Sequence, residues 1–285
     1  MMRLALLGDR GMFARDARPI LEGTGFEVAG ADLPEVDISD PSSVQRFFEN
    51  HRPEVVLNAA AYTDVDGAES DGAAAFRANA EGPAVLARAC AASGALLVHL
   101  STDYVFPGER PEGYLPSDEP GPAVNAYGRS KLTGEMAIRA ALPPARFLIC
   151  RTQWLYGTMG RNFPASILKL AQEREELRVV DDQWGVPTWT RELARQVVHL
   201  LAEGARGVRH AVNGGGPVTW FTVASALVQE AGLNCRVVPC ATQEFPRPAP
   251  RPLHGWLRDS AAGHTQPWQD GLREFLESRA ELGKG

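Results

Sequence analysis

The sequence predicts an α/β protein built on a doubly wound parallel sheet, followed by a smaller lobe. Short apolar runs alternate with segments of helical periodicity over the first half of the chain, the pattern of repeated strand-helix-strand units. The runs are continuously apolar, as expected for strands buried on both faces. All six tryptophans and a proline-rich stretch lie beyond residue 150. We therefore predict a first domain over residues 1–157 and a smaller lobe over 158–285, some segments of which return to the first domain.

The composition limits the classes of function. With 285 residues, 44% apolar and 22% charged, the chain resembles an ordinary soluble protein. A net charge of -6 without a long basic run argues against a nucleic-acid-binding surface. The first apolar run, Arg3 to Leu7, is too short for a signal peptide or a membrane span. The four cysteines show no metal-ligand spacing, so we expect a cytoplasmic protein with reduced thiols that binds neither nucleic acid nor membrane.

The first predicted strand ends in a glycine turn that leads into a helix. Gly8 permits a tight turn, Gly11 lets the backbone approach a pyrophosphate, and the helix that starts near Met12 offers free N–H groups. Ala14 replaces a third glycine, where a small residue still allows close packing. A plain strand-helix turn is the alternative for so degenerate a motif. In this context we predict a Rossmann-like dinucleotide site.

The end of the second predicted strand bears on the choice of cofactor. Asp32 follows that strand, and a carboxylate there can accept hydrogen bonds from a ribose hydroxyl, which favours NADH. Arg10 lies in the glycine turn and can pair with the 2′-phosphate of NADPH instead. The sequence leaves NADPH and NADH both open.

The remaining predicted elements continue the alternation. Open α/β sheets bind ligands at the carboxyl ends of their strands, so the residues there are candidates for a site. Small residues, Ala59 to Ala61, follow the third strand, and Ser101-Thr102-Asp103 follows the fourth. We predict helices over 41–51, 71–93, 127–141, 163–174, 190–203, 219–232 and 269–281, strands over 27–31, 55–58, 96–100 and 147–150, and a surface loop over 107–122.

Tyr127 and Lys131 lie one helical turn apart on one face of their predicted helix. A cation beside a phenol lowers the pKa of the phenol and makes it a usable proton donor or acceptor near neutral pH. Coincidence is the alternative for this spacing taken alone. A parallel sheet would bring Thr102 and the Gly8 turn to the same edge, which predicts a proton-donating site beside a nicotinamide.

Several longer motifs follow one another along the chain: GDRGMFA at 8–14, NAAAYTDVD at 58–66, STDYVF at 101–106, YGRSK at 127–131, RTQWLYG at 151–157 and VVDDQ at 179–183. Together they resemble the dTDP-4-dehydrorhamnose reductase family of the extended short-chain dehydrogenase/reductases. The resemblance implies reduction of the C4 ketone of a dTDP-4-keto-6-deoxyhexose by NADPH or NADH, with dTDP-4-dehydro-L-rhamnose converted to dTDP-L-rhamnose. It also implies that Thr102, Tyr127 and Lys131 are the catalytic residues.

The resemblance further implies two sets of binding residues. Solvated charges in a proline-rich loop are the alternative for Arg251. The expected substrate contacts are Tyr104, Trp154, Asn162, Gln183 and Arg251. The expected cofactor contacts are Gly8, Arg10, Gly11, Met12, Asp32, Asp37, Ile38, Ala59, Ala60, Ala61, Tyr127 and Lys131.

Some members of this family dimerise around a Mg²⁺ ion held by acidic residues, which leaves a homodimer and a bound Mg²⁺ open. Asp16 and Glu192 fall where such ligands would lie, although we expect a plain solvated role for both. Trp184 and the pair Gly255-Trp256 depart from the family pattern and leave the sugar open.

Four other functions compete with reduction of dTDP-4-dehydro-L-rhamnose. A 4,6-dehydratase is disfavoured because Tyr104 follows Asp103, where dehydratases carry a second acid. Another nucleotide-sugar 4-ketoreductase or an epimerase of the same superfamily stays open. So does a non-catalytic subunit like the regulatory subunit of methionine adenosyltransferase, since a fold does not prove catalysis.

Overall fold

The structure, a computed structural model, describes residues 1–258 and 265–282. Its strands in chain order are β1 (Met2–Leu7), β2 (Phe26–Ala31), β3 (Val55–Asn58), β4 (Leu96–Thr102), β5 (Phe147–Thr152), β6 (Leu155–Tyr156), β7 (Glu176–Val180), β8 (Trp184–Gly185), β9 (Thr188–Trp189), β10 (Gly207–His210), β11 (Val218–Thr219) and β12 (Arg236–Cys240). Its helices are α1 (Met12–Gly23), α2 (Pro41–His51), α3 (Gly67–Ser70), α4 (Gly72–Phe76), α5 (Gly82–Ser93), α6 (Ala126–Ala141), α7 (Phe163–Glu173), α8 (Thr190–Ala202), α9 (Trp220–Glu230) and α10 (Trp268–Leu282). A π-helical turn, Arg77–Glu81, joins α4 to α5.

A parallel sheet with the strand order β10-β5-β4-β3-β1-β2 forms the centre of the described part of the chain. The chain runs outward from β1 to β2 and then returns to the other side of β1 with β3, so the order reverses between β1 and β3. Helices α2, α5 and α6 pack on one face of the sheet, and α1 and α8 pack on the other. The predicted doubly wound α/β fold is confirmed.

The predicted elements of this sheet agree closely with the observed ones. Helix α2 and strand β3 have the predicted bounds, and most of the other predicted helices and strands differ at their ends by one or two residues. The single helix predicted over 71–93 is wrong, because the chain forms α4, the π-helical turn and α5 there. The buried runs Leu4 to Leu7 and Val55 to Leu57 explain why the apolar pattern was continuous, because helices cover both faces of their strands. Ala14 is buried against this core, as expected for a small residue at the turn.

A second core lies beyond the sheet and contains Tyr156, Trp189, Trp268 and Phe275. It is bounded by α7, α9 and α10 and by the parallel pair β7 and β12. Two later elements nevertheless belong to the first core, because β10 pairs with β5 and α8 packs on α1. The division at residues 157 and 158 stays a prediction.

All four cysteines lie within the described residues and are free thiols. In the same residues, no helix is both long enough and apolar enough to cross a membrane.

A buried ion pair joins α6 to the sheet. Arg151 in β5 donates from Nε and Nη2 to the two carboxylate oxygens of Glu135 in α6, at 2.9 and 2.7 Å. Ser101 at the end of β4 donates to the same carboxylate at 2.6 Å. Both charged side chains are almost fully buried, at 0% and 1% exposure. The pair therefore fixes the depth of α6 where β4 and β5 end.

Removing one charge of this pair should destabilise the fold strongly. Arg151→Met leaves the Glu135 carboxylate buried without its partner, and we expect the free energy of unfolding to fall by about 3–5 kcal/mol. The double variant Glu135→Leu/Arg151→Met should recover much of this loss, because no unpaired charge remains. Urea denaturation followed by circular dichroism measures the free energy of unfolding of the single and the double variant. Arg178→Met, which breaks the exposed pair with Glu244, is the matched control and should change little. Equal losses for Arg151→Met and Arg178→Met would contradict this account.

Candidate active site

A cleft crosses the carboxyl ends of the central strands. It consists of two adjoining cavities of about 450 and 430 Å³, and both are lined by Gly8, Gly11, Ala59 and Ala61. The first cavity extends along β4 and α6, and the second extends along the end of β2. The cleft therefore lies at the switch point between β1 and β3, where open α/β sheets bind ligands.

The glycine turn fits a dinucleotide pyrophosphate. Gly8 has a φ of +80°, and a Cβ built there would lie 2.6 Å from the backbone N of Ala60, so only glycine allows the two loops to meet. Helix α1 begins after Gly11 without a side-chain cap, which leaves its first N–H groups directed to the cleft. Every predicted cofactor residue except Arg10 lines one of the two cavities. The residues present thus match the shape and the polarity that such a cofactor needs.

Arg10 and Asp32 have different surroundings. The Asp32 carboxylate lines the cleft and accepts from the backbone N of Leu33 at 2.8 Å and of Arg10 at 3.2 Å. The Arg10 guanidinium pairs with Glu35 at 2.5 Å and donates to the carbonyl of Leu33 at 3.0 Å. Arg10 is therefore held by an acid at the edge of the cleft. This geometry leaves NADPH and NADH both open.

The proposed catalytic residues come together. Thr102, Tyr127 and Lys131 all line the larger cavity, with Thr102 at the end of β4 and the other two on the first turns of α6. Helix α6 begins there because Asn125 caps it, accepting from the backbone N of Gly128 at 2.8 Å.

The phenol of Tyr127 stays protonated. Burial raises its pKa, the Asp103 carboxylate raises it further, and a hydrogen bond with Thr102 opposes the rise. The expected lowering of this pKa by Lys131 is therefore wrong for this structure. The reason is geometric, since Lys131 Nζ donates to the carbonyl of Leu100 at 2.6 Å. A protonated phenol is nevertheless the form that a proton donor needs.

Lys131 is itself almost fully buried, at 2% exposure. Burial lowers the pKa of its ammonium from 10.5 to about 8, and the Glu135 carboxylate opposes this shift. The lysine therefore exchanges its proton near neutral pH more readily than an exposed lysine does.

Asp103 is a site residue to which the sequence analysis gave no role. Its carboxylate accepts from the Thr102 hydroxyl at 2.9 Å and from Gln153 Nε2 at 3.3 Å. Burial raises its pKa from 3.8 to about 7, although the hydrogen bonds from Thr102, Gln153 and the backbone oppose the rise. Thr102 has one hydroxyl proton, so an ionised Asp103 holds it and a protonated Asp103 releases it toward the cavity. Adjacency to Thr102 was the available sequence signal.

Trp154 forms one wall of the larger cavity. Its ring stacks on Trp220 with centroids 3.6 Å apart and an angle of 14° between the planes. Its backbone has a φ of +47°, which is strained for a tryptophan. A Cβ built on Gly185 would lie 2.3 Å from the Trp154 ring, so the ring is held between Trp220 and the backbone of β8. Sequence reasoning missed Trp220 because only the fold brings it close.

The predicted substrate residues do not all reach the cavity. Tyr104 and Trp154 line it, whereas the other three make contacts within the protein. Asn162 caps α7 and donates to the carbonyl of Gly157 at 2.9 Å. Gln183 accepts from Trp220 Nε1 at 3.2 Å and donates to Thr242 at 3.0 Å. Arg251 pairs with Asp66 at 2.9 Å, with its guanidinium 6.0 Å from the Tyr104 ring centre. Their roles in binding stay predictions.

Comparisons with known proteins identify the family. The model of the RmlD substrate binding domain matches residues 2–280. The chain belongs to the dTDP-4-dehydrorhamnose reductase family. The predicted family and the predicted class of NAD(P)H-dependent oxidoreductase are confirmed.

Three similar proteins illustrate this membership. The dTDP-4-dehydrorhamnose reductase of Mycobacterium tuberculosis is 41% identical, over 98% of this chain and 93% of that protein. A dTDP-4-keto-6-deoxy-D-glucose reductase of Streptomyces niveus is 42% identical, over 78% of this chain and 76% of that protein. The structure of dTDP-4-dehydrorhamnose reductase from Bacillus anthracis in complex with NADP has a TM-score of 0.92 and 34% identity, covering 97% of this chain and 99% of that one.

Asp16 and Glu192 differ from the expectation of solvated side chains, because both are buried. Asp16 accepts from the hydroxyls of Thr158 and Thr190 at 2.9 and 2.6 Å. Glu192 accepts from Gln196 Nε2 at 3.1 Å. Asp16 therefore ties α1 to α8 and to Thr158, whereas the bond of Glu192 with Gln196 lies within α8. The described residues contain no group of three or more metal-binding side chains, so they give no support to a Mg²⁺ site.

Asp103→Asn should change how stability depends on pH. The folded pKa of Asp103 lies above its ordinary value, so its favourable contribution is complete below about pH 4 and is lost as pH rises through about 7. Asparagine imitates the neutral acid: it can donate to Thr102 and accept from Gln153. Between pH 5 and pH 8 the variant should therefore gain stability relative to the parent, by roughly 2–3 kcal/mol.

Urea denaturation of both proteins at the two pH values measures this difference. Glu81→Gln, which removes an exposed acid from the π-helical turn, is the control and should follow the parent at both pH values. Parallel pH dependence in Asp103→Asn and the parent would show that the buried carboxyl does not titrate in this range.

Proposed function

We propose that this chain reduces the C4 ketone of a dTDP-4-keto-6-deoxyhexose, and that its substrate is dTDP-4-dehydro-L-rhamnose. The observation that carries the proposal is that Thr102, Tyr127, Lys131 and the Trp154 ring line one cavity, which adjoins the glycine turn. The similarity to reductases of dTDP-4-keto sugars supports this class of substrate. Relatives of nearly equal identity carry names for two different ketosugars, so the sugar itself needs a direct test.

Each residue has a defined part in the reaction. The reduced nicotinamide, NADPH or NADH, supplies the hydride. As negative charge develops on the ketone oxygen, Tyr127 donates its phenolic proton to that oxygen. Thr102 donates a second hydrogen bond when Asp103 is protonated. Lys131 supplies positive charge to the same cavity, and the Trp154 ring provides an apolar wall for the sugar.

A coupled assay tests the proposal. The purified chain is incubated with NADPH or NADH and dTDP-4-keto-6-deoxyglucose, with and without a 3,5-epimerase, and the product is identified by NMR. We expect stoichiometric cofactor oxidation that requires the epimerase, with dTDP-L-rhamnose as the product. Oxidation without the epimerase would instead assign the 6-deoxyglucose ketone as substrate. Conversion of the sugar without net cofactor oxidation would indicate an epimerase, and no reaction in any mixture would overturn the proposal.

Tyr127→Phe should abolish most of the turnover. General acid catalysis contributes about 10²- to 10⁴-fold, so kcat should fall by that factor while binding of NADPH changes little. Steady-state kinetics and fluorescence titration of the cofactor measure the two effects. Tyr156→Phe removes a buried phenol that makes no hydrogen bond within the described residues and lies outside the cavity, and it is the matched control. Full activity of Tyr127→Phe would remove the phenol from the mechanism.

Gly185→Ala should weaken binding of the sugar nucleotide. The new methyl group would collide with the Trp154 ring and displace this wall of the cavity. We expect KM for the sugar nucleotide to rise by about 10-fold or more, with a smaller change in kcat, because the proton-donating residues are not touched. Gly23→Ala is the control, since a Cβ there meets nothing within 4 Å. An unchanged KM in Gly185→Ala would mean that the position of Trp154 does not affect binding.

A further inference from the structure

A buried polar chain lies behind the candidate active site. Asn58 at the end of β3 and His99 in β4 are cross-strand neighbours, and each is only 1% exposed. The His99 ring lies between two nitrogen atoms: its Nδ1 is 3.0 Å from Asn58 Nδ2, and its Nε2 is 3.3 Å from Lys131 Nζ. The chain thus connects the loop after β3, which lines the cofactor side of the cleft, with the proposed catalytic lysine.

The hydrogen bonds of Asn58 determine which ring nitrogen carries the proton. Asn58 Oδ1 accepts from the backbone N of Ala60 at 3.1 Å, so its Nδ2 must face the imidazole. An amide N–H can only donate, and His99 Nδ1 is therefore an acceptor without a proton. Burial and the neighbouring Lys131 hold the pKa of His99 well below its ordinary range. The network thus assigns the neutral ring with its single proton on Nε2.

The Nε2–H group of His99 points at Lys131. An ammonium has three donors and no acceptor, so it cannot take a hydrogen bond from this group, whereas a neutral amine can. The Leu100 carbonyl accepts from Lys131 in either form. Two charged groups lie nearby. The Glu135 carboxylate favours the ammonium form of Lys131, and the Arg151 guanidinium forms an ion pair with Glu135. Tyr127 and Asp103 lie on the cavity side of the lysine.

We propose that His99 is a positioning residue for Lys131, donating from Nε2 to the neutral amine and turning the protons of the ammonium toward the Leu100 carbonyl and the cavity. After Tyr127 gives its proton to the substrate oxygen, Lys131 can pass one proton to the phenolate through the cavity. The amine that remains accepts the Nε2–H bond, and water in the cavity returns the proton to the lysine. The kinetic part of this inference rests on the proposed reductase function, whereas the protonation part does not.

The lysine content allows a direct test. The chain has three lysines, Lys131, Lys169 and Lys284, so Lys169→Arg/Lys284→Arg leaves Lys131 as the single lysine. Labelling its ε-carbon and recording NMR spectra against pH gives the Lys131 pKa in the free protein. His99→Phe removes both ring nitrogens, and we expect it to raise this pKa by about one unit. His99→Met replaces His99→Phe if the latter does not fold.

His99→Gln is the matched variant that keeps both hydrogen bonds. Its Oε1 can accept from Asn58, and its Nε2 can donate to Lys131, so the lysine pKa should stay near that of the parent. Val98→Ala disturbs the adjacent position of β4, whose side chain belongs to the core on the other face of the sheet, and should not move the pKa either. In an active enzyme, the apparent pKa that Lys131 contributes to the pH dependence of kcat should shift in His99→Phe and not in His99→Gln.

Labelling the imidazole nitrogens of the parent protein gives an independent measurement. We expect the His99 signals to be those of a neutral ring protonated on Nε2 between about pH 6 and pH 9. A ring protonated on Nδ1, or an unchanged Lys131 pKa in folded His99→Phe or His99→Met, would overturn the inference. If the lysine titration behaves as expected while no ketosugar is reduced, the proposed function fails and the hydrogen-bond assignment stands.

Discussion

The docking of α6 on the ends of β4 and β5 is the constraint on which the site depends. The buried pair between Glu135 and Arg151 sets how deeply the helix sits, and Tyr127 and Lys131 precede Glu135 on the same helix. A rotation of α6 would move the phenol and the amine together. The charges are expensive to bury, but the two hydrogen bonds between them form only in one orientation, which gives the pair a role in specifying geometry.

Burial has a common effect on the ionisable groups of the site. It raises the pKa values of Tyr127 and Asp103 and lowers that of Lys131, so each group is pushed toward its neutral form. A site of this kind has its proton donors protonated before charge develops on the substrate. Burying these polar groups lowers the stability of the fold. Hydrogen bonds such as that between Ser101 and Glu135 limit this loss.

The sheet was predictable because its signals are local, whereas the site was predictable only in part. Apolar runs and helical periodicity gave the bounds of β3 and α2, and motif spacing placed Tyr127 near Thr102. The direction of the Tyr127 pKa shift was not predictable, because it arises from burial and from Asp103. The stack of Trp154 on Trp220 and the pairing of β7 with β12 also join distant segments, which periodicity does not relate.

The segment over residues 249–257 contacts two residues that line the larger cavity, Tyr104 and Gln153. One end is held by Arg251, which pairs with Asp66, and the other end donates from the backbone N of Leu257 to Gln153 Oε1 at 2.8 Å. Gln153 also donates to Asp103, whose protonation decides whether the Thr102 hydroxyl is free. A change in this segment therefore reaches the Tyr104 ring through Arg251 and, through Gln153, the balance between the two forms of Asp103. The position of this segment and the protonation of Asp103 are therefore linked by one amide side chain, that of Gln153.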